Sequence, residues 1–187
     1  MPTPNASFFE EMSTAARGVV ALLVGKRDAP SYFDFSQRGL VGSLIGVVFA
    51  VGLAGFGPLL IGVPLPPGAA TQSIIVNAVL FVAQLAMAWI VLRQMGRQDG
   101  FVPYLVASNW VTFVSAILLL LSTLLGPAGI VILVVVMVMA ITTFINVGRF
   151  IVTLSPLQIA LLFVSQAVGV FLALGIVAVL LGPPAVA

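Results

Sequence analysis

The chain is 187 residues long, 61% hydrophobic and 6% charged, where a soluble domain carries about 25% charged residues; it reads as an integral membrane protein with no room for a separate soluble domain. It has neither Cys nor His, which excludes disulfides, thiolate nucleophiles, imidazole bases, the usual zinc and haem ligands and any lipid anchor on Cys, so no cofactor and no metal is expected. The seven Lys and Arg are scattered and the net charge is +2, which argues against nucleic acid as a partner.

Residues Ser7 to Val24 are predicted to form an amphipathic helix. Phe8, Phe9, Met12, Ala16, Val19, Val20 and Leu23 fall at helical spacing, while Glu10, Glu11, Ser13, Thr14 and Arg17 take the other face. Ser7 and Glu10 have the spacing of a capping box. Such a helix lies in the membrane interface or docks under a bundle; the plainer alternative is a helix packed on the loops. Two Glu and a short uncharged run, Gly18 to Gly25, argue against a signal peptide. Gly25 ends the helix, and Lys26, Arg27, Asp28 and Pro30 make a linker. Residues 1–31 are thus an amino-terminal segment and 32–187 a transmembrane domain.

The first span is predicted over 39–62, entered through the collar Tyr32-Phe33-Asp34-Phe35-Ser36-Gln37-Arg38. Gly42, Gly46, Ala50 and Ala54 recur every fourth residue and leave one face almost without side chains, the kind of seam on which another helix backbone packs closely. Asp34 and Arg38 are four apart and are expected to pair at the mouth of this span, for about 0.2–0.5 kcal/mol. Further spans are predicted over 71–92, 103–125, 130–149 and 157–181, separated by Pro- and Gly-rich turns or short charged loops and ended by Gly182-Pro183-Pro184. Ser165, Gly169 and Ala173 give the fifth span a small-residue stripe like that of the first, so these two are candidates to pack on each other or on a second protomer. Tyr32, Phe33, Phe35, Trp89, Phe101, Tyr104 and Trp110 fall near one membrane boundary, as an aromatic belt would.

The fold class is therefore all-α, a bundle of five transmembrane helices preceded by an amphipathic helix. Placing the amino terminus in the cytoplasm puts Arg17, Lys26, Arg27, Arg38, Arg93, Arg97 and Arg149 on one side and leaves the opposite loops and the tail uncharged. The expected topology is amino terminus in and carboxyl terminus out, in a bacterial-type inner membrane. A re-entrant first span would instead place Arg93 and Arg97 outside. The sequon-like Asn5-Ala6-Ser7 falls on the cytoplasmic side and is discounted.

No predicted span has a charged residue in its interior, which counts against ion-coupled transport. The polar residues that remain are amides and hydroxyls. Asn77 and Gln84, seven apart, share a face of span two; Gln158 and Gln166, eight apart, share a face of span five. With Asn109 and Asn146 they outline a polar vestibule open to the cytoplasm. The competing reading is that these amides bond between helices, at about 0.6–2 kcal/mol each, and hold the bundle together.

A cytoplasmic amino-terminal segment, five spans, minimal outer loops and a short outward tail resemble the layout of the Yip family, from about Ala21 to Leu181. Asp99-Gly100-Phe101 followed by Pro103-Tyr104, and Leu154-Ser155-Pro156 before the Ala160 turn, are similar to that family locally. Tyr32-Phe33-Asp34-Phe35 stands where eukaryotic members carry an Asp-Leu-Tyr-Gly-Pro-like element, and the long cytosolic arm is absent. The resemblance implies fold, topology and a non-catalytic membrane organiser. From the residues, the leading expectation is a non-enzymatic scaffold, assembly factor or accessory subunit whose partners are lipids and another membrane protein or its own copies. A small oligomeric transporter or channel for an uncharged or weakly charged substrate is the alternative. Intramembrane proteolysis comes third, because no His or Lys base and no Asp pair lies within the spans.

Overall fold

A computed structural model describes residues 7–181. Asn5, Ala6 and Gly182-Pro183-Pro184 lie outside the described residues. The first helix, α1 (Phe8–Val24), opens on the expected capping box: the Ser7 N–H donates to Glu10 Oε2 at 2.7 Å and the Glu10 N–H to Ser7 Oγ at 3.3 Å. It closes at Gly25, whose φ of 75° is the left-handed conformation that a Cβ would penalise. Then follow α2 (Gln37–Leu60), α3 (Ala69–Gln94), α4 (Phe101–Leu124), α5 (Gly129–Asn146) and α6 (Pro156–Leu181), with no strand among the described residues. A π-helical turn, Val147–Ile151, extends α5.

Five helices are long and apolar enough to cross a membrane, and they coincide with the five predicted spans to within a few residues. The bundle is all-α, with α1 preceding it. The centre is α2, which packs on α4 and on α3; α5 packs on α4, and α6 on α3. Glycines set these distances. A Cβ on Gly46 would meet Trp110 of α4 at 3.4 Å, one on Gly55 would lie 2.7 Å from Ile74 of α3, and one on Gly57 2.8 Å from Leu120 of α4.

The helix α1 is built into the charged end of the bundle, against α4, α5 and the start of α2. The Phe8 ring lies 6.1 Å from Trp110 and 6.3 Å from Phe49, and Phe49 sits about 18 Å along α2 from Gln37. Asn146, in the last turn of α5, donates Nδ2 to the Leu22 carbonyl at 2.7 Å and ties down the far end of α1. Most of the core gathers here: Leu22, Leu92, Val106, Trp110, Val152 and Leu162 are fully enclosed. Toward the other end the core thins, and the α3 stretch from Ala69 to Met87 contributes no buried residue.

Three expectations are corrected. The small-residue stripes of the first and fifth spans do not face each other: Gly42 and Gly46 look onto α1 and α4, whereas Gly169 sits against Met87 of α3. Ala54 is exposed, because α2 is clasped from two sides and its close contacts pass to Gly55 and Gly57. On α1, Phe9 and Val20 point outward at 73% and 59% exposure, and Glu11 is buried at 7%. The face that α1 presents to the bundle is Glu11, Ala15, Gly18, Val19 and Leu22. Finally, Phe33, Tyr104 and Trp110 are core residues instead of a lipid-facing belt, since α1 covers the boundary at which they lie.

Candidate functional site

A cavity of about 510 Å³ lies between α2, α3, α4 and α5. It exists because α3 packs on α2 and α5 on α4, while α3 and α5 share no packed interface with each other. The α4 wall carries Tyr104, Ser108, Thr112, Ser115 and Thr123, whose spacings of three, four and eight keep them on one face. The α2 wall is Ala50, Val51, Leu53, Ala54 and Pro58, and α5 adds Ala140, Thr143 and Phe144. Several hydroxyls are satisfied by their own helix: Ser115 Oγ donates to Val111 O at 2.8 Å, Thr123 Oγ1 to Leu120 O at 2.6 Å and Thr143 Oγ1 to Met139 O at 2.6 Å. Back-bonded in this way they present mainly carbon to the cavity, so the wall is apolar in effect.

Of the six amides proposed for a vestibule, Asn77 and Gln84 do line this cavity. Asn77 is turned to its own helix, donating to Ser73 O at 2.8 Å. The other four are elsewhere and accounted for. Asn109, buried, donates to Ser43 Oγ at 3.0 Å and joins α4 to α2. Asn146 holds α1. Gln158 caps α6, with the Ser155 N–H donating to its Oε1 at 2.9 Å. Gln166 Nε2 donates to Gln84 O at 2.9 Å and joins α6 to α3. A polar vestibule open at the charged end is not formed. Ser165 likewise bonds its own helix, at Leu161 O, and Ala173 is buried in the α6 packing stripe.

A second feature escaped the sequence reading. The Glu11 carboxylate lies over Gly42, where a Cβ would sit 2.5 Å from Oε1, and that Oε1 is buried with no hydrogen-bond partner. Burial, and secondarily the Asp34 carboxylate, push the Glu11 pKa above its ordinary value, while Arg38 offsets part of the shift. Asp34 itself accepts the Ser36 N–H on Oδ1 at 2.9 Å, an Asx-type turn that leads into α2. Asp34 and Arg38, expected to pair with each other, both act on Glu11, the first raising and the second lowering its pKa, so the three lie near one another where α1 meets the start of α2. The clue was in the chain: Ala15, Gly18, Val19 and Leu22 follow Glu11 at helical spacing and offer a narrower face for close packing.

Chemically the cavity holds no acid–base or nucleophile–base pair, and among the described residues no group of His, Cys, Asp or Glu is placed to hold a metal. Compared with protein-family models, curated proteins and solved structures, the chain finds no match.

Proposed function

We propose that the protein is a non-catalytic membrane scaffold or accessory subunit that receives one transmembrane helix of a partner protein in the cavity between α3 and α5. The observation that carries this reading is the wall: Ala50, Ala54, Ser108, Ser115, Ala116 and Ala140 are the small residue types that let helix backbones approach in a bilayer. The side of the membrane bearing the arginines is taken as cytoplasmic, in a bacterial-type inner membrane. The layout is in keeping with a Yip-like organiser.

The test is extraction in native lipid followed by mass spectrometry of the intact particle. A second membrane protein in fixed ratio is expected, and it is lost in Ala116→Phe, which fills the cavity, while the amount of folded chain is unchanged. A chain that emerges without another protein, or an Ala116→Phe variant that keeps its partner, refutes the reading. The presence of Asn77 and Gln84 on the wall favours, as the second reading, a small transporter for an uncharged solute. Flux into vesicles that disappears in Gln84→Leu would establish that instead.

A further inference from the structure

A separate cleft of about 770 Å³ lies between α5 and α6 at the charged end of the bundle. Ile141, Phe144 and Ile145 form one wall, Ile159, Ala160 and Phe163 the other, and Arg149 stands with them at the mouth. From Ile141 to Arg149 the cleft runs about 12 Å along the helix, close to half of a hydrocarbon core of about 30 Å. It is therefore a slot one leaflet deep.

Its cation is available. Arg149 is exposed, has no carboxylate partner among the described residues, and lies 5.2 Å from the centre of the Phe150 ring. The neighbouring Arg97 is engaged: it donates to Val152 O, to Thr153 O at 2.9 Å and to Thr153 Oγ1 at 2.7 Å, and lies 3.6 Å from Asp99. That clamp holds Thr153 at a φ of 57°, a conformation a β-branched residue adopts only under constraint, and so fixes the loop that joins the two walls of the cleft. A guanidinium offers planar paired donors to phosphate, and the wall below it offers only carbon.

We propose that this cleft binds one anionic phospholipid, its phosphate on Arg149 and one acyl chain along Ile145, Ala160 and Phe163. A zwitterionic lipid fits the same slot, but its headgroup adds a cation beside the guanidinium, so the preference for negative charge comes from Arg149. The site shares only Phe144 with the α3/α5 cavity and does not depend on a protein partner.

The experiment is native mass spectrometry of the full chain in detergent, offered phosphatidylglycerol or phosphatidylethanolamine with identical acyl chains. One phosphatidylglycerol is expected to be retained in preference. Arg149→Gln lowers that preference about fivefold, the effect of one basic residue near an anionic surface, and Arg149→Lys keeps most of it. Ala160→Phe, which fills the slot and leaves the cation, lowers retention of both lipids. Arg93→Gln, at an exposed arginine outside the cleft, leaves the preference unchanged. Equal retention of the two lipids, an equal loss in Arg93→Gln, or full retention in Ala160→Phe overturns the proposal.

Discussion

Glu11→Gln removes a charge and keeps the shape of the side chain, at the point where α1 meets α2. In the folded protein Glu11 is 7% exposed, with Oε1 buried and unpartnered over Gly42. A buried polar atom left without a partner costs about 1–3 kcal/mol. Because burial and Asp34 raise its pKa, Glu11 holds a proton more tightly folded than unfolded. The stability this contributes is therefore present in full below the ordinary Glu pKa and is lost as pH climbs through the raised value. The wild-type chain is expected to be less stable at about pH 8 than at about pH 4.5, and Glu11→Gln, which carries no charge at any pH, to flatten that slope and to be the more stable of the two at neutral pH. The assay is thermal unfolding in detergent across this range, followed by tryptophan emission, since Trp110 lies 6.1 Å from Phe8 and reports the seating of α1. Wild-type stability that rises with pH, or a Gln variant less stable than wild type at neutral pH, would refute the argument.

The other predictions concern packing. Trp110→Ala, at the centre of the enclosed core, should cost about 3–5 kcal/mol in the same melt. Asn146→Ala removes the tie to Leu22 and should release the end of α1, seen as faster amide exchange over its last turn than in the rest of the helix. Gly169→Leu drives a side chain into Met87 and should destabilise the α3/α6 contact by about 1–3 kcal/mol, whereas Gly52→Leu, at a position with open space around it, should be close to neutral. Thr153→Gly should stabilise the chain by relieving its left-handed backbone, and the gain should shrink when Arg97 is also changed to Ala.

The spans were legible because a bilayer permits few solutions: an uncharged run of about twenty residues has to satisfy its backbone as a helix. The cap at Ser7 was legible for the same local reason. What could not be read was which face of a helix meets which neighbour. On α1 the apolar spacing places Glu11 outward, yet the stripe that Glu11 heads is the buried one, with Gly18 closing on Tyr32 and Phe33. The amides illustrate the other difficulty. Gln158 was legible as the fourth residue of Ser155-Pro156-Leu157-Gln158, a capping box, but its spacing to Gln166 suggested a shared face instead. Asn146 gave no local sign that its partner lies 124 residues earlier. The α3/α5 cavity depends on the order in which five helices stand side by side, which their periodicity does not encode.

That long separation has a temporal side. The helix α1 is made first, yet its seat consists of Trp110 and Asn146, and the bond from Asn146 closes a loop of 124 residues. At a synthesis rate of about 5–20 residues per second, α1 waits about 6–25 s before that seat exists. Throughout that interval its core-facing Val19 and Leu22 are open to the interface, to chaperones or to proteases. A nascent chain that stalls before α5 keeps this helix without the tie from Asn146.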